Sequence, residues 1–346
     1  MTTEEQLEIM HALQEAPRAP WAVLGSVLGA DPRAVARDYK SLVESGMMRL
    51  IATPGPRLLE RLQLGHLRLR ATPGRAETVA AGLAYWPQAT TVRITDGSFD
   101  VHALVVGTDA HTLLRSVHEA VAALPDVEAA EVSTVLRTID VGRAGRLDSL
   151  SPAQVQKLRA TRLASGSSST PSRLGIRDFD LMRALTADGR MEISELARES
   201  GREPSTVSRR VARLQSDGYL DFLALTTDTA SSFPVVAYLW CIVDAVELEA
   251  LITRLPIQPW LGSFTITSGR SNVCVVAHLQ TPAGLLRIME QLTALSPSLR
   301  VTETQITSPA VKLHTRLLDE HDRFTDDICD PFTTLAPQLT AHVRNG

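Results

Sequence analysis

The chain has 346 residues, with 35 Lys and Arg against 39 Asp and Glu, a net charge of −4 and 44% apolar residues. That length favours about two to four domains, and the charge excludes a uniformly basic nucleic-acid coat or polybasic membrane binder while leaving room for a local basic patch. Three scattered cysteines, Cys241, Cys274 and Cys329, exclude a disulfide scaffold and a four-thiolate zinc site. The start, MTTEEQLEIM, is acidic and unlike a secretory signal, and the longest apolar stretch, 233–243, is too short to span a bilayer.

In chain order, Leu7, Met10 and Leu13 recur at helical spacing, and Trp21, Leu24 and Leu28 mark a second short helix that Gly29 breaks. Asp31-Pro32 reads as a cap and first-turn proline opening a third helix, which Gly46 stops. Strands are expected over 67–71, 89–95, 99–107 and 127–137, with helices over 74–86 and 110–124. That order is the ferredoxin-like βαββαβ unit. A short helix follows over 150–163, then a Ser-rich linker, 165–172.

The pattern then repeats. Phe179, Met182 and Leu185 line a helix, 194–200 forms a second, Gly201 turns the chain, and 204–217 forms a third. Strands over 235–244, 261–267, 272–279 and 301–311 alternate with helices over 247–255 and 282–295. Laid on itself at an offset of 172 residues the sequence matches without gaps: Gly29 on Gly201, Arg37 on Arg209, Leu42 on Leu214, Gly97 on Gly269, Leu114 on Leu286. The expected fold is α+β, two tandem copies of a winged, three-helix helix-turn-helix module followed by a ferredoxin-like module. The expected domains are 1–60, 61–140, a connector 141–176, 177–232, 233–313 and a tail 314–346, acidic at first and ordered in part at best.

A glycine turn between the second and third helices, with a small residue four positions earlier (Gly25, Ala197), is the arrangement of a DNA-reading helix-turn-helix. In the second copy Val207, Val211 and Leu214 face inward. Ser205, Thr206, Ser208, Arg209, Arg210 and Arg213 remain to meet double-stranded DNA, the serine and threonine near the helix start for base edges and the arginines for phosphate or guanine. From 202 to 213, four arginines stand against one glutamate, a local +3 in an acidic chain. In the first copy Arg33, Arg37 and Lys40 are offset by Asp31, Asp38 and Glu44.

These modules together resemble the leucine-responsive regulator/AsnC (Lrp/AsnC) family of prokaryotic transcription regulators. The resemblance rests on FDLMRALTADGR, ISELARESG, STVSRRVARLQSDGYL and TDGSFDVHALVVG, and covers about residues 4–140 and 177–312. Family members usually carry one copy, so the chain looks like a tandem fusion. The resemblance implies a cytoplasmic, DNA-binding homodimer or higher homo-oligomer that senses a small effector, commonly an amino acid, near the loop between the middle strands. The matching positions are Asp96, Gly97 and Asp100, and in the second copy Ser268, Gly269 and Asn272. The glycines suit a tight turn offering N–H groups to a carboxylate, and Asp100 suits an ammonium group. Asn272 lacks that charge.

No phosphate loop, nucleophile elbow or HExxH occurs. His111 and His118 read as surface histidines, and neither a metal, a cofactor nor an enzymatic activity is expected. Two alternatives remain: a tandem siroheme-decarboxylase-like enzyme of the same architecture, using Arg93, His102 and His278 on the strands, and a ligand-sensing assembly protein without DNA binding.

Overall fold

The structure is a computed structural model describing residues 3–139, 147–163, 171–254, 258 and 260–341. The first copy runs α1 (Glu4–Glu15), α2 (Trp21–Leu28), α3 (Pro32–Glu44), β1 (Met48–Pro54), α4 (Pro56–Leu59), β2 (Gln63–Ala71), α5 (Ala76–Ala84), β3 (Ala89–Thr95), β4 (Val101–Gly107), α6 (Ala110–Ala123), β5 (Val127–Ile139) and α7 (Pro152–Leu163). The second runs α8 (Ile176–Ala187), α9 (Ile193–Ser200), α10 (Pro204–Ser216), β6 (Leu220–Thr226), β7 (Val235–Ile242), a 3₁₀ turn and α11 (Leu248–Arg254), β8 (Leu261–Thr267), β9 (Val273–Leu279), α12 (Gly284–Leu295) and β10 (Arg300–Leu313). Then come β11 (Arg316–Leu318), β12 (Phe324–Ile328) and α13 (Phe332–Ala341). The 314–346 stretch, expected to be ordered in part at best, thus carries two strands and a helix. Residues 140–146 and 164–170, which hold most of the expected serine-rich linker, lie outside the described residues.

The chain divides into two units that pool like parts of both copies: 1–62, 147–227 and 323–346 in one, 63–146 and 228–322 in the other. In the helical unit each copy supplies a single wing strand. β1 and β6 pair antiparallel, Met48 opposite Thr226 and Pro54 opposite Leu220, with Ile51 opposite Leu223 at the centre. Those end pairs exchange under the 172-residue offset, so the pairing is two-fold in register. The side chains at the junction obey the same relation. Arg18 donates to the Gly189 and Met191 carbonyls (2.8 and 3.5 Å), and its equivalent Arg190 donates to those of Pro17 and Ala19 (2.8 and 2.9 Å). Gly189 is small because the Leu50 backbone passes there: a Cβ would meet Leu50 C and O at 2.8 Å.

The connector and the tail take equivalent places. Before α7, the Ser149 and Leu150 N–H groups donate to His11 Nδ1 (both 3.1 Å), and within it Arg159 pairs with Glu15. Against α8, α13 stacks Phe332 on Phe179 (ring centroids 5.4 Å), while Asp330 just before it pairs with Arg183, the offset partner of His11. Both segments therefore cover the first helix of their own copy.

In the sheet unit, each copy forms a ferredoxin-like sheet, β3–β4–β2–β5 and β8–β9–β7–β10. Each copy's last strand crosses to the other sheet: β5 pairs with β8 and β10 with β3, with Val135 opposite Thr267 and its equivalent Thr307 opposite Thr95. Since β10 also pairs with β7, the sheet closes on itself among the described residues, leaving none of these strands as an open edge. Outward-facing Leu67, Leu69 and Val101 pack under Val79, Leu83, Leu113 and Val117 of α5 and α6; Leu239, Val273 and Val275 pack under Leu251, Ile288 and Leu292 of α11 and α12. The alternate, inward positions are polar and aromatic.

Candidate nucleic-acid interface and ligand-binding sheet

α9 ends at Gly201 with φ +63°, and the Arg202 N–H donates to the Ala197 carbonyl (2.9 Å). This glycine closure turns the chain sharply into α10, which Pro204 opens. The first copy does the same with Gly29 at φ +69°. There Gly25 is required by space, since a Cβ would lie 2.7 Å from the Ala30 carbonyl oxygen.

On α10, Val207, Val211 and Leu214 are buried, while Ser205, Thr206, Ser208, Arg209 and Arg213 are exposed. Arg209 lies along its own helix, Nε 3.4 Å from the Ser205 carbonyl. Arg213 pairs with Asp217 at 3.1 Å. Burial pushes the Asp217 carboxyl up, but the Ser172 hydroxyl and N–H, together with Arg213, hold it below its ordinary value.

Arg210 departs from the expectation. It is half-buried, its Nε and Nη2 donating to the two Asp178 oxygens (2.7 and 2.6 Å), Nη1 to Ser172 Oγ and Nη2 to the Arg173 carbonyl (both 2.8 Å). These bonds raise its pKa further and tie α10 to α8. The sequence held the signal: Val207, Arg210, Val211 and Leu214 stand at i, i+3, i+4 and i+7, so Arg210 shares the inner face.

On α3, Arg33, Arg37 and Lys40 are exposed, with Arg37 3.5 Å from Asp38 and Lys40 3.6 Å from Glu44. The Asp31 carboxylate caps the helix, accepting from the Arg33 and Ala34 N–H groups (2.9 and 3.2 Å). A negative group therefore sits where phosphate would approach.

The six hairpin residues form two equivalent sets, each bound into the fold. Asp96 Oδ1 accepts from the Ile306 N–H (2.7 Å), and its equivalent Ser268 Oγ accepts from the Thr134 N–H (2.9 Å); both stitch a hairpin to the other copy's last strand. Asp100 Oδ2 accepts from the Ala71 N–H (2.8 Å), while Asn272 bonds both the N–H and the carbonyl of Val243 (2.9 and 2.7 Å). Asp100, expected to meet an ammonium group, thus closes its own first strand. Gly97 and Gly269 take φ +92° and +103°, as the tight turns require.

The interior of the closed sheet gathers His102, named from the sequence, with His66, Tyr238 and Trp240, which the sequence reading did not single out. His66 Nδ1 lies 3.0 Å from His102 Nε2, and His66 Nε2 lies 3.0 Å from Thr265 Oγ1. The Tyr238 ring stacks 3.9 Å from His102, and Trp240 Nε1 donates to Gln305 Oε1 (3.0 Å). Burial, then the Arg68 charge, lowers His66 to about 4; burial likewise drives His102 well below its ordinary value. Of the strand residues considered for tetrapyrrole chemistry, Arg93 makes a bidentate pair with Asp228 (2.6 and 3.1 Å), and His278, near both charges, is lowered to about 4, chiefly by burial. No group of three potential metal ligands occurs among the described residues, nor is any helix there long and apolar enough to cross a membrane.

Residues 174–221 match the family model for a winged helix-turn-helix DNA-binding domain, and residues 66–144 match that of the Lrp/AsnC ligand binding domain. Two uncharacterized HTH-type transcriptional regulators, from Pyrococcus abyssi and Pyrococcus horikoshii, are each 26% identical to the chain over 136 residues, which is 39% of this chain and 86% of the relative. Among solved structures, the siroheme decarboxylase NirDL is similar over 98% of this chain and 99% of its own, with TM-score 0.59 and 14% identity. Its co-complex with an iron-uroporphyrin III analogue gives TM-score 0.60 and 13% identity, over 99% of both chains. At such identity the likeness is one of architecture. The sequence thus carries two modules of known type, a winged helix-turn-helix DNA-binding domain in its second half and an Lrp/AsnC ligand binding domain in its first.

Proposed function

We infer that this chain is a sequence-specific, DNA-binding transcription regulator in which α10 enters the major groove and the paired sheets take a small effector, an amino acid being the class the family suggests. The observation that carries the reading is the division of α10: an apolar inner face of Val207, Val211 and Leu214, and an exposed outer face of Ser205, Thr206, Ser208, Arg209 and Arg213. Base edges are reached from the first turns of such a helix, and the arginines supply phosphate or guanine contacts. α3, with its charges internally offset, supplies weaker contacts through Arg33, Arg37 and Lys40. The test is selection of bound fragments from genomic DNA, with and without candidate amino acids. A regulator enriches a defined set of fragments; recovery of no sequence above background would overturn the reading.

The buried His66–His102 pair, with the aromatic rings around it, favours one second reading, a tetrapyrrole enzyme. Titration of the same protein with an iron porphyrin separates the two. Tight binding by a protein indifferent to DNA supports the enzyme, and DNA selection without porphyrin binding supports the regulator.

A further inference from the structure

The inner faces of the two ferredoxin-like sheets meet around a pseudo-two-fold axis, and the residues nearest that axis have diverged between the copies. Position 68 is Arg and its equivalent, 240, is Trp. These two equivalent residues touch: the Arg68 guanidinium carbon lies 4.2 Å from the centre of the Trp240 ring. Residues that exchange under a two-fold and contact one another lie at its axis. Two further equivalents, Glu131 and Glu303, converge on the same guanidinium. Glu303 accepts from Arg68 Nη1 at 2.9 Å and Glu131 pairs with Nη2. Phe99 stacks over Arg68 as well, at 4.6 Å. The Arg68 side chain is 7% exposed, against 33% for Glu131 and 22% for Glu303, so one nearly buried cation is shared by two partly exposed carboxylates.

We propose that Arg68 and Trp240 form a pairing lock that makes the inner face of each ferredoxin-like sheet accept the other copy and reject its own kind. If two first-copy sheets met, two guanidinium groups would crowd the axis where one guanidinium now packs on one indole, and each would keep only one carboxylate in place of two. If two second-copy sheets met, two Trp240 side chains would fill the axis and both Glu303 carboxylates would lose their cation. Only the unlike pairing places one cation, two carboxylates and one aromatic face together. Specificity arises here from destabilising the wrong pairings as much as from stabilising the right one. The partner that fits the first sheet is therefore a second-copy sheet, whether from its own chain or from a second chain.

The near-symmetry supplies the test in the 346-residue chain. Arg68→Trp and Trp240→Arg are made singly and together, and thermal melting is followed by circular dichroism. Each single change is expected to lower the melting midpoint by on the order of 5–15 °C, since Arg68→Trp leaves both glutamates without their cation and Trp240→Arg sets a second guanidinium against the first in place of the indole. The double exchange moves the arginine to the equivalent side of the axis, between the same two glutamates, and is expected to recover at least half of the summed loss. The recovery stays partial because Ser271 replaces Phe99 there. Losses that simply add would overturn the proposal, because a local role for Arg68 cannot be restored from position 240. Where a single variant does not fold, Glu131→Gln and Glu303→Gln read the same network at constant volume. Their combined loss is expected to exceed the sum of the separate losses, and a double variant melting like the wild type would overturn the lock.

Discussion

Arg209 and Arg210 are neighbours in sequence with opposite assignments. Arg209 is exposed on the outer face of α10, whereas Arg210 is fastened to Asp178, a carboxylate whose side chain is only 7% exposed. Arg209→Ala is expected to weaken DNA binding by about 1–3 kcal/mol and, if it meets phosphate, to reduce the salt slope by about one, leaving the melting midpoint in place. Arg210→Ala is expected to act through stability instead, costing about 2–4 kcal/mol in a denaturant titration because Asp178 keeps its burial and loses its cation. The histidines inside the closed sheet set a pH dependence. His66, held to about 4, is neutral when folded and takes up a proton when unfolded below its usual value near 6.5. A depressed folded value means that the stabilisation is present above pH 6.5 and is lost as pH falls towards 4. His102 shifts in the same direction. The slope approaches about 1.4 kcal/mol per pH unit for each histidine. His66→Asn should flatten the decline in unfolding free energy between pH 6.5 and 4.5. An unchanged slope would show that His66 does not carry it.

At the level of elements, what the sequence reveals depends on how local the cause is. Glycine closures at Gly29 and Gly201, the proline-opened third helices and the hairpin glycines Gly97 and Gly269 are all local in origin. The structure has them where the residues place them, within a few positions. The exchanges between copies are long-range. Nothing in 48–54 or 220–226 announces that these wing strands pair with each other, nor that β5 and β10 cross to the opposite sheets. The tandem repeat implied two like units whose ferredoxin-like sheets can pair within one chain, but not which strands make the pairing. Strand 63–71 did hold a signal: His66 and Arg68 alternate with Leu67 and Leu69, and a polar inner face at that period requires a polar partner. α13 was obscured by Pro337 within it and by the acidic run before it. The wing junction can be tested at Gly189, where the Leu50 backbone leaves no room for a side chain. Gly189→Ala is expected to destabilise by about 1–3 kcal/mol through overpacking, while Gly175→Ala, whose Cβ would meet only Asp178 Oδ2 at 3.8 Å, stays within about 1 kcal/mol of wild type. Equal midpoints for the two variants in a denaturant titration would contradict the close approach.

For the whole molecule, the tandem arrangement places within one chain the pairings that a single-copy protein would have to make between two. β1–β6, β5–β8 and β10–β3 are all intramolecular, so closing the sheet is a unimolecular event. The melting midpoint of this chain should therefore stay constant over a hundredfold dilution, where a dimer of separate copies would fall. A midpoint that drops with dilution would mean that the pairing is made between chains. Because α3 and α10 differ in charge and in exposed side chains, the two halves of a bound site need not be alike, and selected fragments should lack a perfect inverted repeat. Whether the outer face of α10 reads DNA is decided by the affinity of wild type, Arg209→Ala and Arg37→Ala for one selected fragment across a salt series. Arg209→Ala is expected to lose about tenfold or more in affinity, and Arg37→Ala clearly less. Equal affinities for all three proteins at every salt concentration would contradict that role for α10.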